Sequence, residues 1–296
     1  MITFSQLGSY GRFGNALWQY ASIRGISQKT GYKLYIPNPL TTGYHQQPCL
    51  LRYFQIPEEL YTYKPGFLYK YIGNMQNAQE FNKNVLDVRD TTDFIGYFQN
   101  TKYFFDSEDL IRQDLTFTHE IETISQQILK GIRNNIQSPI ISIHIKRGEL
   151  PHEIEQNNIN FYGKGSIFTN GSILGQYLQK AIQYCLDIIP NAVFLLFTND
   201  NADFNKFGVV DDALDWCKAN IQHPKIYYHE NYNTIVDFAI MSICDHNILC
   251  HSTTFGWWAA WLNKNSQKVV VAPNNYFVLE PDKFVDGFYP KKWILL

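Results

Sequence analysis

Residues 137–149 read QSPIISIHIKRGE. From Pro139 to Ile145 the run is almost wholly apolar, the pattern of a strand buried on both faces of a parallel sheet. It then breaks into Lys146, Arg147, Gly148 and Glu149. Only 18% of the chain is charged, so two adjacent cations at the end of a buried strand stand out. In open parallel sheets, ligands sit beyond the carboxyl ends of the strands. One stretch therefore carries both a fold expectation and a site expectation.

Working outward, further buried strands are expected at AVFLLFTND (192–200), KIYYHE (225–230), NILCH (247–251) and KVVVAP (268–273). Helical patterns separate most of them, including an amphipathic segment over 172–189 closed by Pro190. Upstream, ITFSQL (2–7) and YKLYIP (32–37) read as strands. The helical pattern NALWQYASIRGISQKTG lies between them and ends at Gly31, a helix-stopping glycine. DFIGYFQN (93–100) reads as a strand and turn, 107–135 as mostly helical, and 38–92 as irregular. Alternating strands and helices predict an α/β protein of two Rossmann-type lobes, residues 1–135 and 136–296.

Bulk composition excludes several classes. The net charge is −2 over 296 residues, which disfavours nucleic acid as a partner. The 20 Tyr, 21 Phe and 6 Trp supply core and also suit flat ligands such as bases and sugar rings. Five cysteines, Cys49, Cys185, Cys217, Cys244 and Cys250, follow no pairing or CxxC pattern and read as free buried thiols. No apolar run is long enough to span a membrane, and no secretory signal opens the chain, so a cytoplasmic protein, soluble or peripheral to the membrane, is expected. The histidines lack a ligand spacing and no DxD occurs, so no metal is expected. Neither GxGxxG nor GxxxxGK[ST] is present.

The chemistry-bearing residues fall in five places. Lys146 and Arg147 are suited to a ligand oxyanion, Arg by its planar fork and Lys as a point charge. His144 and Glu149 flank them. In HSTTFGWWAAWLNKN (251–265), Ser252, Thr253, Thr254 and Phe255 open an apolar helix. Hydroxyls there cap the first N–H groups, and the same groups with the helix dipole make an anion site. Trp257, Trp258 and Trp261 read as core. Asp237 lies in an apolar helical segment, where an acid is costly unless partnered. It reads either as a first-turn acid favoured by the dipole or as a carboxylate for the N1 and N2 donors of guanine. Asp200 ends the strand FTND, and Gly14 and Asn15 close the glycine-punctuated GSYGRFGN (8–15).

Taken in order, these stretches resemble glycosyltransferase family 11, the α-1,2-fucosyltransferases, in its bacterial form. The resemblance rests on Gly11-Arg12-Phe13-Gly14-Asn15-Ala16-Leu17-Trp18-Gln19-Tyr20-Ala21, on Gly96-Tyr97-Phe98-Gln99, on His144-Ile145-Lys146-Arg147-Gly148-Glu149 and on Phe197-Thr198-Asn199-Asp200. It is most specific over 237–262, and the pattern near Pro273 and Trp293 also fits. It implies a GT-B-like architecture of two facing lobes with the donor cleft between them. It implies GDP-β-L-fucose as donor and no separate cofactor. The acceptor would be a galactose-containing oligosaccharide, and transfer to its 2-hydroxyl would be inverting and metal-independent. The donor would sit on the C-terminal lobe and the acceptor on the N-terminal one. Gly14, Asn15, Lys146, Arg147, Asp200, Asp237, Ser252, Thr253, Thr254 and Phe255 would bind the donor; His144, Arg147 and Glu149 would be catalytic, Glu149 as base or as a loop-holding group. The chain departs from the family pattern at Lys146 (usually Arg), Glu149 (Asp), His251 (Asn) and Gly256 (Ser). Two other readings compete: a transferase for another nucleotide sugar, and a non-catalytic relative that binds nucleotide or carbohydrate.

Overall fold

The computed structural model describes residues 1–41, 43–44, 47–61, 66–146, 166, 168–169, 171–198, 213–230, 233–251, 253–274 and 285–296. They form two compact units. Unit 1 comprises Met1–Ile121 and Val285–Lys291, and unit 2 comprises Glu122–Phe284 and Lys292–Leu296.

Unit 1 holds a four-stranded parallel sheet built from β1 (Ile2–Thr3), β2 (Leu34–Tyr35), β5 (Tyr69–Ile72) and β6 (Thr92–Ile95), in the order β2-β1-β6-β5. A two-residue antiparallel pair, β3 (Gly43–Tyr44) and β4 (Gln47–Pro48), lies outside it. Helix α1 (Phe13–Thr30) is buried around most of its circumference and stops at Gly31, which takes φ 71° and returns its N–H to the Ser27 carbonyl at 2.9 Å. Trp18 is fully buried and packs between Phe104 and Phe288. Phe288 belongs to the late return segment, which Asn100 and Thr101 tie to the unit through the Asp286 and Gly287 carbonyls. The expected strand over 2–7 ends at Thr3, because a turn begins at Phe4, whose carbonyl accepts the Leu7 N–H. Strand β5 lies inside the stretch expected to be irregular. It is an edge strand with mostly exposed side chains, so it carries no apolar alternation. Helices α2 (Glu108–Asp114) and α3 (His119–Asn135) lead out of unit 1.

Unit 2 is a six-stranded parallel sheet, order β12-β11-β10-β7-β8-β9. Its strands are β7 (Ile140–Ile145), β8 (Val193–Thr198), β9 (Ile226–Tyr228), β10 (His246–Ile248), β11 (Val270–Ala272) and β12 (Ile294–Leu295). The chain runs outward through β7, β8 and β9, then returns to the other side of β7 with β10. The order therefore reverses at the β7–β10 seam, the place where open α/β sheets receive ligands. All six residues of β7 are buried, as its composition predicts. Helices α4 (Ile173–Ile188), α5 (Ala213–Asn220), α6 (Thr234–Ile243) and α7 (Thr254–Leu262) join the strands. Trp257, Trp258 and Trp261 are core, and all five cysteines are free and buried.

The core is not wholly apolar. Asn247 on β10 donates to Ser142 Oγ (2.7 Å) and to the Met241 carbonyl (2.9 Å). Asn263, just past α7, donates to Asn247 Oδ1 (2.9 Å) and to the Cys244 carbonyl (2.8 Å). This buried chain ties β7, β10 and the ends of α6 and α7 in one register, the situation in which satisfied polar networks specify a unique core. The fold is α/β with a parallel sheet in each of two lobes, GT-B-like in class, as the sequence leads one to expect.

Candidate active site

Strand β7 delivers His144 to the seam one residue before its end. The ring is buried, with Nδ1 2.9 Å from Thr253 Oγ1, and it lies 4.9 Å from the Phe255 ring. Thr253 is the N-cap of α7, with extended backbone (φ −116°, ψ 101°), and its Oγ1 accepts the Gly256 N–H at 3.3 Å. The capping role read from the sequence is thus the observed one, and the capping hydroxyl also meets His144. A hydroxyl has one hydrogen and two acceptor sites. If His144 Nδ1 carries the hydrogen, Thr253 accepts twice and its own O–H is left to donate to a ligand. Gly256, where the family usually has Ser, leaves room for that side chain: a Cβ there meets Thr253 and His144 no closer than 3.4 Å.

Lys146 follows directly, half-buried at the strand end. Burial first, and then the Lys146 charge, push the His144 pKa down from 6.5 to about 3. His144 is therefore a neutral imidazole at physiological pH. The sign of the linkage follows. Between about 3 and 6.5 the unfolded chain binds a proton on this histidine that the folded chain refuses. Stability from this group is present above 6.5 and is lost as the pH falls toward 3, at up to about 1.4 kcal/mol per pH unit. His144→Asn, whose amide keeps a hydrogen bond to Thr253, should show a flatter decline of Tm between about pH 4 and 6 than the parent chain. An unchanged slope would show that His144 does not carry this term.

The carboxylate question at Asp237 has a geometric answer. Asp237 lies in the first turn of α6, whose N-cap Asn233 accepts the Val236 N–H through its side chain and the Asp237 N–H through its carbonyl. Both readings of Asp237 need a partner for a buried acid, and one is His229, with Nε2 3.0 Å from Asp237 Oδ1. His229 is 3% exposed and packs on Phe197 of β8 at 4.6 Å. Sequence reasoning missed this role and read His229 only as a histidine without metal spacing. The available signal was its position one residue past β9, where an α/β loop turns back over the strand ends. Phe238, beside Asp237, contacts Phe255 at 5.0 Å and sets the start of α6 against the start of α7. On the other side, Thr198 Oγ1 donates to the Ile145 carbonyl (2.9 Å) and ties the end of β8 to the end of β7.

Unit 2 thus gathers His144, Lys146, Thr253, Thr254, Phe255 and Asp237 around the carboxyl ends of β7, β8 and β10. Arg147, Glu149, Asp200 and Ser252 lie outside the described residues. Gly14 and Asn15 belong to unit 1, in the first turn of α1. There Asn15 Oδ1 accepts from Gln99 Nε2 (2.6 Å), and Gln99 Oε1 accepts from Gln79 Nε2 (2.5 Å). Gly11 permits this packing: it takes φ 78°, and a Cβ on it would fall 1.8 Å from Asn15 Nδ2. Among the described residues, no three His, Cys, Asp or Glu side chains are grouped to hold a metal ion.

A family model described as Glycosyl transferase family 11 matches residues 78–296. An α-1,2-colitosyltransferase of Escherichia coli is 24% identical over 223 residues, 73% of this chain and 67% of its own length. The Escherichia coli O-antigen biosynthesis glycosyltransferase WbnK is 25% identical, over 70% of this chain and 62% of its own length. The galactoside α-(1,2)-fucosyltransferase 2 of Rattus norvegicus is 23% identical, over 86% of this chain and 66% of its own. The chain thus spans about two thirds of the length of these relatives. Among solved structures, apo POFUT1 superposes with a TM-score of 0.51 at 11% identity, covering 92% of this chain and 97% of that one. A complex of POFUT1 with GDP-fucose gives 0.51 at 13% identity, covering 91% and 97%. At such identity the likeness shows the fold alone.

Proposed function

The chain belongs to glycosyl transferase family 11, and from that premise we propose that it moves L-fucose from GDP-β-L-fucose to the 2-hydroxyl of a galactose-containing oligosaccharide, inverting the anomeric centre without a metal ion. The observation that carries this reading is the seam itself. A cation, Lys146, and the capped start of α7 adjoin the end of one buried strand, and a carboxylate, Asp237, stands on the neighbouring helix start. The names of the α-1,2-transferring relatives support the linkage, and the GDP-fucose complex of a protein with the same fold supports the donor.

The chemistry follows from charge. Breaking the bond from C1 to the GDP oxygen leaves positive charge on the sugar ring and negative charge on the pyrophosphate. Fixed donors aimed at that oxygen stabilise the developing charge without reorganising. In this proposal Lys146, Arg147, the hydroxyls of Ser252 and Thr253 and the first N–H groups of α7 provide them. Asp237 takes the N1 and N2 hydrogens of guanine. Glu149 accepts the proton of the acceptor hydroxyl as it attacks in line from the opposite face. His144, neutral and held against Thr253, positions the capping hydroxyl rather than carrying charge. Unit 2 takes the donor and unit 1 the acceptor. Among the described residues no helix is long and apolar enough to cross a membrane, and a cytoplasmic site of action remains part of the proposal.

Thermal melting with nucleotides tests the donor assignment. At 100 times its dissociation constant a ligand adds about 2.7 kcal/mol to the native state. GDP and GDP-fucose should raise Tm, and UDP should not. Transfer of radiolabelled fucose to lactose should then follow with loss of one GDP per product. A shift with UDP alone would overturn the guanine assignment. A second reading comes from the bacterial relative named for colitosyl transfer: a colitosyl donor in place of a fucosyl one. The ratio of kcat/KM for the two donors decides between them.

A further inference from the structure

We infer that His229 is a positioning residue for nucleotide-base selection: it holds the Asp237 carboxylate in the orientation that distinguishes guanine from bases lacking the 2-amino group. The inference rests on the proposed guanine role of Asp237 and deepens it.

A carboxylate on a short side chain rotates about a broad terminal torsion. To meet N1–H and N2–H of guanine together, its two oxygens must lie in one plane with the base edge. A second hydrogen bond that fixes the plane supplies this geometry before the ligand arrives. His229 is placed to do so. Its Nε2 lies 3.0 Å from Asp237 Oδ1, and both residues are buried, 3% and 6% exposed. An ionised carboxylate has no hydrogen to give, so Nε2 is the donor of this bond. The imidazole cannot swing away: its ring rests on Phe197 at 4.6 Å, and its own backbone N–H is bonded to the Leu196 carbonyl at 2.8 Å. Asp237 is fixed from its own side by the Asn233 cap, which holds the first turn of α6. Histidine and carboxylate thus come from two separately anchored elements, the end of β9 and the start of α6. Their bond locks the side chain between them. A carboxylate oxygen carries two lone-pair directions, so the bond from His229 does not exhaust it.

The test compares GDP with IDP, which lacks only the 2-amino group, by calorimetric titration of the full chain. A hydrogen bond to a charged group corresponds to a preference of about ten- to a hundredfold for GDP. Asp237→Asn should abolish that preference; if it does not, the guanine reading itself fails. His229→Phe keeps the ring on Phe197 but removes the donor, and should collapse the preference to near unity while UDP stays unbound. His229→Gln places an amide N–H near the position of Nε2 and should restore the preference. If Asp237→Asn loses the preference and His229→Phe keeps it, the guanine reading stands and the role of His229 is overturned. Should His229→Phe fail to fold, proton–nitrogen spectra of the wild-type chain with labelled histidine give the same decision. GDP should shift the His229 Nε2–H signal and UDP should not; a signal indifferent to GDP overturns the inference.

Discussion

Lys146→Ala lowers the turnover number for transfer by about 10²–10³-fold and weakens donor binding much less. The magnitude is that of removing one preorganised stabiliser from a developing oxyanion. Lys146 is the first residue beyond a strand whose six residues are all buried, so its backbone position is fixed by the sheet rather than by a loop. Its charge already acts at the seam, since it contributes to the depressed pKa of His144. Most of its value lies in the transition state, where the pyrophosphate gains charge, and little in the ground state, where that charge is already spread. Loss of kcat with KM nearly unchanged is the expected signature. Lys146→Arg restores the cation the family usually carries here. It should keep at least the wild-type turnover, because a planar fork offers two donors where ammonium offers a point charge. Steady-state kinetics with GDP-fucose and lactose make the measurement. If Lys146→Ala raises only KM, Lys146 is a ground-state contact and the leaving-group role falls to other residues.

How much of this was legible in the sequence depends on how far each feature is local. Strand β7 was readable because burial on both faces leaves a continuous apolar run, and Lys146, which follows it, sits where the fold receives ligands. Thr253 was readable as a cap, since capping is set within four residues. The tryptophans of α7 were readable as core for the same reason. Pairs distant in sequence or separated by a turn were not. Thr253 meets His144 across 109 positions. Asp237 announced only that it needed a partner, and nothing over the eight positions that separate them marked His229 as one. Strand β5 left no signal because an exposed edge strand needs no apolar alternation. The return of Val285–Lys291 to unit 1 was invisible because the Asp286 and Gly287 groups that accept from Asn100 and Thr101 are backbone carbonyls, which any sequence offers.

A second long-range cluster of this kind leads to the largest expected loss of stability. Asp114 at the end of α2 is 2% exposed, and its Oδ2 accepts both from the Tyr20 hydroxyl at 2.7 Å and from Arg24 Nε at 2.8 Å. Both donors are on α1, so the carboxylate fastens α2 across the helix that fills the middle of unit 1. Burial, and then the Asp114 charge, raise the Tyr20 pKa well above its ordinary value, which keeps the phenol protonated and donating. Asp114→Ala leaves a guanidinium that is 12% exposed without this carboxylate, along with a fully buried hydroxyl that has lost its acceptor. Removing one partner of a buried ion pair costs about 3–5 kcal/mol, more than the pair contributes over apolar groups of the same shape. The triple change Tyr20→Phe, Arg24→Met, Asp114→Leu should therefore be less destabilising than Asp114→Ala alone. Scanning calorimetry is the suitable probe, because five of the six tryptophans lie in unit 2 and their fluorescence would report the wrong unit. Calorimetry should show the unit 1 transition falling by about 2–4 °C for each kcal/mol lost, with the unit 2 transition nearly unmoved. If Asp114→Ala and the triple variant are equally destabilised, the cost comes from lost packing rather than from an orphaned charge, and the electrostatic account of this cluster fails.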